Sequence, residues 1–363
     1  MYIYLIITLT RLIKPVFFLV SALIIISFCN ALAQLPEEAE QPTYLLLQMD
    51  NDATAESDRN YTNGLRIGWM HPVKDQKLNR YQDWLRPFTE VQLPFGRRLH
   101  RDSAEIDYDF GMGITQLMFT PDDDEAVVAP PGERPYAGWL GMEVSLHAKD
   151  TRALSSVILT IGATGEPSLA EQAQDFVHKH ITRTNLFQGW DTQVPFELTV
   201  NLNFDRKLRL RKLTEATADL FLDVEGHIEY GASVGNYRTD AYVGGLVRFG
   251  YNLPIAYMHP RVEVGSYAHQ LFTGMNNTKN RWSWSGFLGT RGTAVAHDIT
   301  LDGPWFRSHD GVDSEPWVGE LLMGIGIRYK NVTLTYSRTF RTREFKGQNK
   351  RHDFGSLQVS VAY

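Results

Sequence analysis

The stretch Trp317-Val318-Gly319-Glu320-Leu321-Leu322-Met323-Gly324-Ile325-Gly326-Ile327-Arg328-Tyr329-Lys330-Asn331-Val332-Thr333-Leu334-Thr335-Tyr336 decides the fold. Trp317, Leu321, Met323, Ile325, Ile327 and Tyr329 make an apolar row with an aromatic at each end. After the tight Lys330-Asn331 turn, Val332, Leu334 and Tyr336 alternate with Thr333, Thr335 and Ser337. Side chains two apart share one face of a strand, so this is a hairpin with an apolar and a polar face.

The same alternation runs through the chain. Val194, Phe196, Leu198, Val200, Leu202 and Phe204 oppose Glu197, Thr199, Asn201, Asn203 and Asp205. Val224, Ile228 and Tyr230 oppose Asp223, Glu225, His227 and Glu229. The last strand sets Leu357, Val359, Val361 and Tyr363 against Ser356, Gln358 and Ser360. A soluble sandwich also alternates, but its polar face is the outer one. Here the strands are long, aromatics bracket the apolar rows, and the other face is densely charged. That pattern predicts an all-β protein, a closed antiparallel transmembrane β-barrel with lipid outside and a polar lumen. Closure is required because a sheet edge has no hydrogen-bonding partner in lipid.

The predicted strands are 44–52, 62–72, 107–118, 136–148, 153–163, 194–206, 216–231, 238–252, 282–297, 317–330, 332–343 and 354–363, twelve in all. An even number puts both termini at the periplasmic end, so connections after odd strands face outward. Residues 53–61, 119–135 and 164–193 are then external. The long segments 73–106 and 253–281 fall at the periplasmic end; a small helix is expected around Asn79–Leu85.

Arg11 and Lys14 precede an apolar run from Val16 to Phe28, and Ala31-Leu32-Ala33 follows. This predicts a signal peptide over 1–33 and one outer-membrane barrel domain over 34–363. The only cysteine, Cys29, goes with the leader, so no disulfide, thiol nucleophile or thiolate metal site is expected. Loss of Arg11 and Lys14 takes the formal charge from −6 to −8, which argues against a nucleic-acid partner.

Two external stretches carry the functional signal. Residues 50–64 hold Asp50, Asp52, Glu56 and Asp58 with Asn51, Asn60 and Asn63 at the tip of a hairpin. Oxygen-rich clusters suit a hard cation such as Ca²⁺, although a solvated loop has much the same composition. In 164–193, Ser168-Leu169-Ala170-Glu171 reads as a capping box with Ser168 as N-cap. Leu169, Ala173, Phe176 and Val177 form an apolar stripe, expected to lie on the barrel rim. Gln174 and His178 are four apart and share a face. A histidine held there can act as a general base, or can be a surface residue of a docking helix.

Together, Asp50-Asn51-Asp52, Asp58-Arg59-Asn60-Tyr61-Thr62-Asn63-Gly64, Glu171 through His178 and Gly189-Trp190-Asp191 resemble the outer-membrane lipid A 3′-O-deacylases, over essentially all of Tyr44–Tyr363. The resemblance implies a twelve-stranded barrel that depends on Ca²⁺. It also implies removal of the 3′-linked acyl chains of lipid A, in lipopolysaccharide of the outer leaflet. Asn51 and Asp52 match the family's Asn-Asp pair, and are implied in catalysis and in holding the metal. Thr62 matches its Thr or Ser after Tyr; Gln174 and His178 match its helix Gln and His. The implied chemistry is ester hydrolysis with His178 as base on a water, and Thr62 and Gln174 positioning water or ester. Such a protein is expected to need the β-barrel assembly machinery, to work as a monomer in the bacterial outer membrane, and to face its site outward.

Two positions depart from the family. Its lysine after the third strand meets Pro121-Asp122-Asp123-Asp124-Glu125 here, with Arg134 as the nearest cation. A glutamate six residues past the histidine is Thr184. A barrel without this chemistry (a channel, adhesin or scaffold) and an outer-membrane phospholipase are the alternatives. The latter's Ser-His-Asn arrangement has no matching motif.

Overall fold

The computed structural model describes residues 42–51, 60–73, 107–123, 126–149, 153–182, 186–210, 222–254, 282–349 and 351–363. Twelve antiparallel strands close into one barrel. They are β1 (Tyr44–Asn51), β2 (Asn60–Pro72), β3 (Asp107–Thr120), β4 (Ala137–Lys149), β5 (Ala153–Thr164), β6 (Leu198–Arg209), β7 (Asp223–Gly235), β8 (Arg238–Tyr251), β9 (Trp282–Asp298), β10 (Trp317–Tyr329), β11 (Val332–Arg341) and β12 (His352–Ala362). β1 pairs with β12 from Tyr44 opposite Ala362 to Asn51 opposite Gly355, which closes the ladder. Among the described residues two α-helices lie in the connections: α1 (Ala170–Val177) and the one-turn α2 (Ile299–Asp302).

All twelve strands expected from alternation are present. The sixth starts at Leu198 rather than 194: Val194 turns inward and is buried with Trp139, Tyr237 and Ile299. The seventh is described from Asp223, later than the 216 expected. The signal peptide, the helix near Asn79–Leu85 and nearly all of 253–281 lie outside the described residues.

The outward rows are exposed, as lipid requires: Leu198, Val200 and Leu202 on β6, and Leu321, Met323, Ile325 and Ile327 on β10. Aromatics mark both ends. Trp282 packs on Tyr329 at 4.5 Å beside the Lys330 turn, and Phe196 and Trp317 are exposed at the far end. Short turns belong to the periplasmic side, so the far end, with the longer described loops, is the outer one.

The lumen is filled rather than open at that end. Arg66 bonds Glu143 at 3.0 Å, both fully buried. Arg341 holds Glu320 at 2.8 Å and Glu344 at 2.9 Å. Above them Ile299, Trp139, Tyr237, Tyr61, Phe119 and Phe354 form an apolar cluster across the barrel. A cavity of about 60 Å³ remains beside it, lined in part by Tyr61, Tyr242, Arg291 and Arg341. Arg66 and Arg341 are tolerated in this interior because each is paired with a buried carboxylate.

Arg134, the cation nearest the acidic 121–125 segment, belongs to this plug. It is 1% exposed, donates to Thr300 Oγ1 at 3.1 Å and lies 4.3 Å over the Phe119 ring. The side chain points into the barrel, where Glu344 lies 3.9 Å away, and not toward the outer surface.

Candidate functional site on the outer wall

The site is best built from one rung of the ladder. Asn51 on β1 is opposite Asn63 on β2, Asn63 is opposite Met118 on β3, and Met118 is opposite Gly138 on β4. All four lie on the lipid-side face, because Asp50, Gly64 and Leu117 beside them are inward and buried. Neighbouring strands are about 4.8 Å apart, so the rung spans roughly 14 Å of outer wall.

A β-bulge adds a residue just above it. The β2–β3 register jumps between Tyr61 and Asn63, leaving Thr62 without a partner. Tyr61 therefore turns into the lumen, packing on Phe119 at 5.3 Å and Phe354 at 5.0 Å. Thr62 turns outward, and its hydroxyl meets that of Thr120 at 2.7 Å. Asn51 Nδ2 donates to the Thr62 carbonyl at 3.1 Å, tying the two strands together.

At the other end of the rung sits α1. A Cβ on Gly138 would come 2.1 Å from Ser168 Oγ and 2.5 Å from Ala170 Cβ, so glycine is what lets the helix seat. Gln116 on β3 donates to the Ser168 carbonyl at 2.7 Å. The expected capping box is displaced by one residue. A 3-10 turn over Glu166–Ser168 precedes the helix, and Leu169, with φ 54, is the N-cap. Ser168 is buried, and its Oγ still accepts from Ala170 N at 3.4 Å.

The helix buries Ala170, Gln174 and His178, three residues four apart along one face. This face packs on Met118, Tyr136, Phe187 and Trp190. Of the apolar stripe expected on the rim, Ala173 packs on this cluster and Val177 is half-buried, but Leu169 is exposed and Phe176 is 59% exposed. Burial space here goes to small Ala170 and to two polar side chains, which puts the large apolar ones on a flank. The opposite flank carries Glu171, Asp175 and Lys179, with Lys179 bonded to Asp175 at 2.6 Å. His178 begins a π-turn through Thr182, a distortion often found at functional sites.

Gln174 Oε1 accepts from Trp190 Nε1 at 2.7 Å, which fixes the amide and directs its Nε2 elsewhere. Gln174 Nε2 and Asn63 Oδ1 are both buried without a hydrogen-bond partner among the described residues. A buried orphan donor and a buried orphan acceptor on one outer wall are what a polar ligand would satisfy.

Of the residues marked by the sequence, Asn51 and Thr62 are joined directly, and Gln174 and His178 share the helix face that packs beside Met118. Asp52 and Thr184 lie outside the described residues. Among the described residues no group of three or more His, Cys, Asp or Glu could hold a metal. Thr120 and Gly138 carried no sequence signal, since their roles depend on register. Asn63 and Trp190 stood in the quoted motifs without an assigned role.

A family model described as outer membrane protein LpxR matches residues 17–363. Among solved structures, LpxR from Salmonella typhimurium superposes with a TM-score of 0.67 at 17% identity, covering 88% of this chain and 100% of that one. The β domain of the Bordetella autotransporter Brka gives 0.41 at 9% identity, over 90% and 99%. The transport unit of AIDA-I from Escherichia coli gives 0.39 at 8%, over 91% and 92%. No curated protein matches. The Salmonella match shows the barrel, and the family model extends across the strands, the bulge and the helix described above: the chain belongs to the LpxR family of outer membrane proteins.

Proposed function

We propose that this barrel is a lipid A 3′-O-deacylase working on its outer wall. The observation that carries the reading is one of direction. Every described residue that matches the family's site, Asn51, Thr62, Gln174 and His178, belongs to the wall or the helix outside the barrel, and none to the plugged lumen. A substrate held in the outer leaflet meets that surface without leaving the membrane.

In this reading His178 takes a proton from water as the water oxygen bonds to the ester carbonyl carbon. The tetrahedral intermediate then expels the sugar 3′-oxygen, which receives the proton from His178, and the acyl chain leaves as a carboxylic acid. Gln174 Nε2, oriented by Trp190, supplies a hydrogen-bond donor for the developing oxyanion. Thr62, paired with Thr120, positions water or ester. Phe176 and Leu169, exposed on one flank of α1, would face the acyl layer, with Glu171 and Lys179 toward the headgroups.

The donor set fits a hard cation. Asn51, Thr62 and the orphan Asn63 Oδ1 offer only oxygen on this wall, and Asp52 would add the charge. Asn51 and Asp52 would hold Ca²⁺, which when bound supplies Lewis-acid polarisation of the ester carbonyl.

His178→Ala tests the reading. Hydrolysis should be abolished while heat-modifiable gel migration, the mark of a closed barrel, is kept, because α1 is outside the strand ladder. Full activity of a folded His178→Ala protein would overturn it.

A further inference from the structure

Outside the site, the most exposed large apolar side chain of the described residues is Phe306, at 78%. Trp305 and Arg307 beside it are also exposed. They lie in the outer connection after α2, and the loop is held so that it presents them. Gly303, at φ 85, turns the chain just before the segment. Buried Glu197 then fastens it: one oxygen accepts the Phe306 N–H at 3.0 Å, the other an Asn236 Nδ2–H at 2.7 Å. Trp305 rests on the His297 ring at 5.1 Å. The Arg307 guanidinium stands 5.7 Å from the centre of the Phe196 ring.

Two features indicate what covers this segment. Phe196 stands two residues before Leu198, at the head of the exposed lipid-facing row Leu198, Val200 and Leu202. The exposed rings thus continue the lipid belt of the barrel at its outer edge. Arg307 has no carboxylate partner among the described residues, whereas Arg66, Arg291 and Arg341 in the lumen each hold one. Rings joined to an uncompensated cation suit the level where acyl chains meet anionic headgroups.

We propose that Trp305-Phe306-Arg307 is a lipid anchor: its rings enter the outer leaflet at the acyl boundary, and Arg307 holds a headgroup phosphate. The anchor sets the height of the barrel in the leaflet. It stands independently of the hydrolytic reading, since none of its residues belongs to the α1 site.

The test uses a polarity-sensitive fluorophore on Phe306→Cys in a Cys29→Ser background, refolded into phosphatidylcholine vesicles with or without lipid A. The control label is Lys346→Cys on another outer loop, and heat-modifiable migration checks the barrel. At Phe306→Cys the emission should be blue-shifted, quenched by spin-labelled acyl chains, and several-fold less accessible to iodide than at Lys346→Cys. Lipid A should strengthen all three, and Arg307→Gln should remove that increment while the phosphatidylcholine signal stays. Water-like emission with full iodide access would overturn the anchor. So would shielding that depends on protein density, which would mean a second copy covers the patch. An increment from lipid A that survives Arg307→Gln would overturn the phosphate contact.

Discussion

Tyr61 and Thr62, adjacent in the chain, point to opposite sides of the barrel wall. The Tyr61 hydroxyl donates to Asp50 at 3.3 Å in the lumen, and the Thr62 hydroxyl meets Thr120 at 2.7 Å on the outside. The bulge between β2 and β3 makes this possible, so the outward threonine is anchored by an inward tyrosine. Tyr61→Phe, which keeps the ring, should cost about 1 kcal/mol for one hydrogen bond and leave activity nearly intact. Tyr61→Ala should cost about 3 kcal/mol through the cavity and should also lower activity, because Thr62 loses its support. Urea titration in detergent, with an ester-release assay, separates the two variants.

The bulge also shows where sequence reading stops. Counting by twos from Leu65 and Ile67, both exposed, puts Thr62 in the lumen and Tyr61 in lipid. The extra residue reverses both, and no composition rule announces it. Strand alternation was legible because lipid and lumen demand opposite chemistry at every second residue, as the row from Leu321 to Ile327 shows. The helix was legible in its Gln174–His178 spacing but not in its orientation. Its apolar residues, Leu169 and Phe176, read as a docking stripe, although in a membrane protein the acyl layer is an equally good partner. Arg134 looked available in a polar loop, and only the packing of Phe119, Thr300 and Glu344 shows it buried.

Gly138 decides whether α1 can seat. A Cβ there would come 2.5 Å from Ala170 Cβ, and neither atom can rotate away. Gly138→Ala should therefore displace the helix by a fraction of an ångström to an ångström, and cost about 100-fold in activity. Refolding yield and heat-modifiable migration should be unchanged, which separates a misplaced helix from an unfolded barrel.

Trp190 holds Gln174 by a single hydrogen bond. Trp190→Phe keeps an aromatic ring against Tyr136 but removes the donor. The amide of Gln174 is then free to turn over, and activity should fall about 5- to 10-fold, the size of one such bond. Gln174→Glu, which replaces the Nε2 donor with an oxygen, should fall further, measured as kcat on lipid A.

Acid should loosen the outer plug. Burial alone would raise the Glu344 carboxyl, but Arg341, the His352 ring 3.7 Å away and Arg134 outweigh it and hold the group well below the usual carboxylate range. A depressed folded-state value means the stabilisation is complete above the unfolded value of about 4.3 and is lost as pH falls through the folded one. Glu344→Gln should cost about 3 kcal/mol at pH 7, because Arg134 loses its buried carboxylate and Arg341 keeps only Glu320. The gap between variant and wild type should narrow as the medium is taken well below pH 4. A gap independent of pH in urea titrations would show that Glu344 is not the charged partner of this plug.

The central claim, that the outer wall hydrolyses the 3′-linked ester of lipid A, is tested most directly by mass spectrometry. Lipid A would be incubated with the refolded barrel, once with Ca²⁺ and once with a chelator. Loss of the 3′-linked acyl or acyloxyacyl group with Ca²⁺, and its retention with chelator, is the expected result. Lipid A unchanged in both, from protein with intact heat-modifiable migration, would contradict the claim.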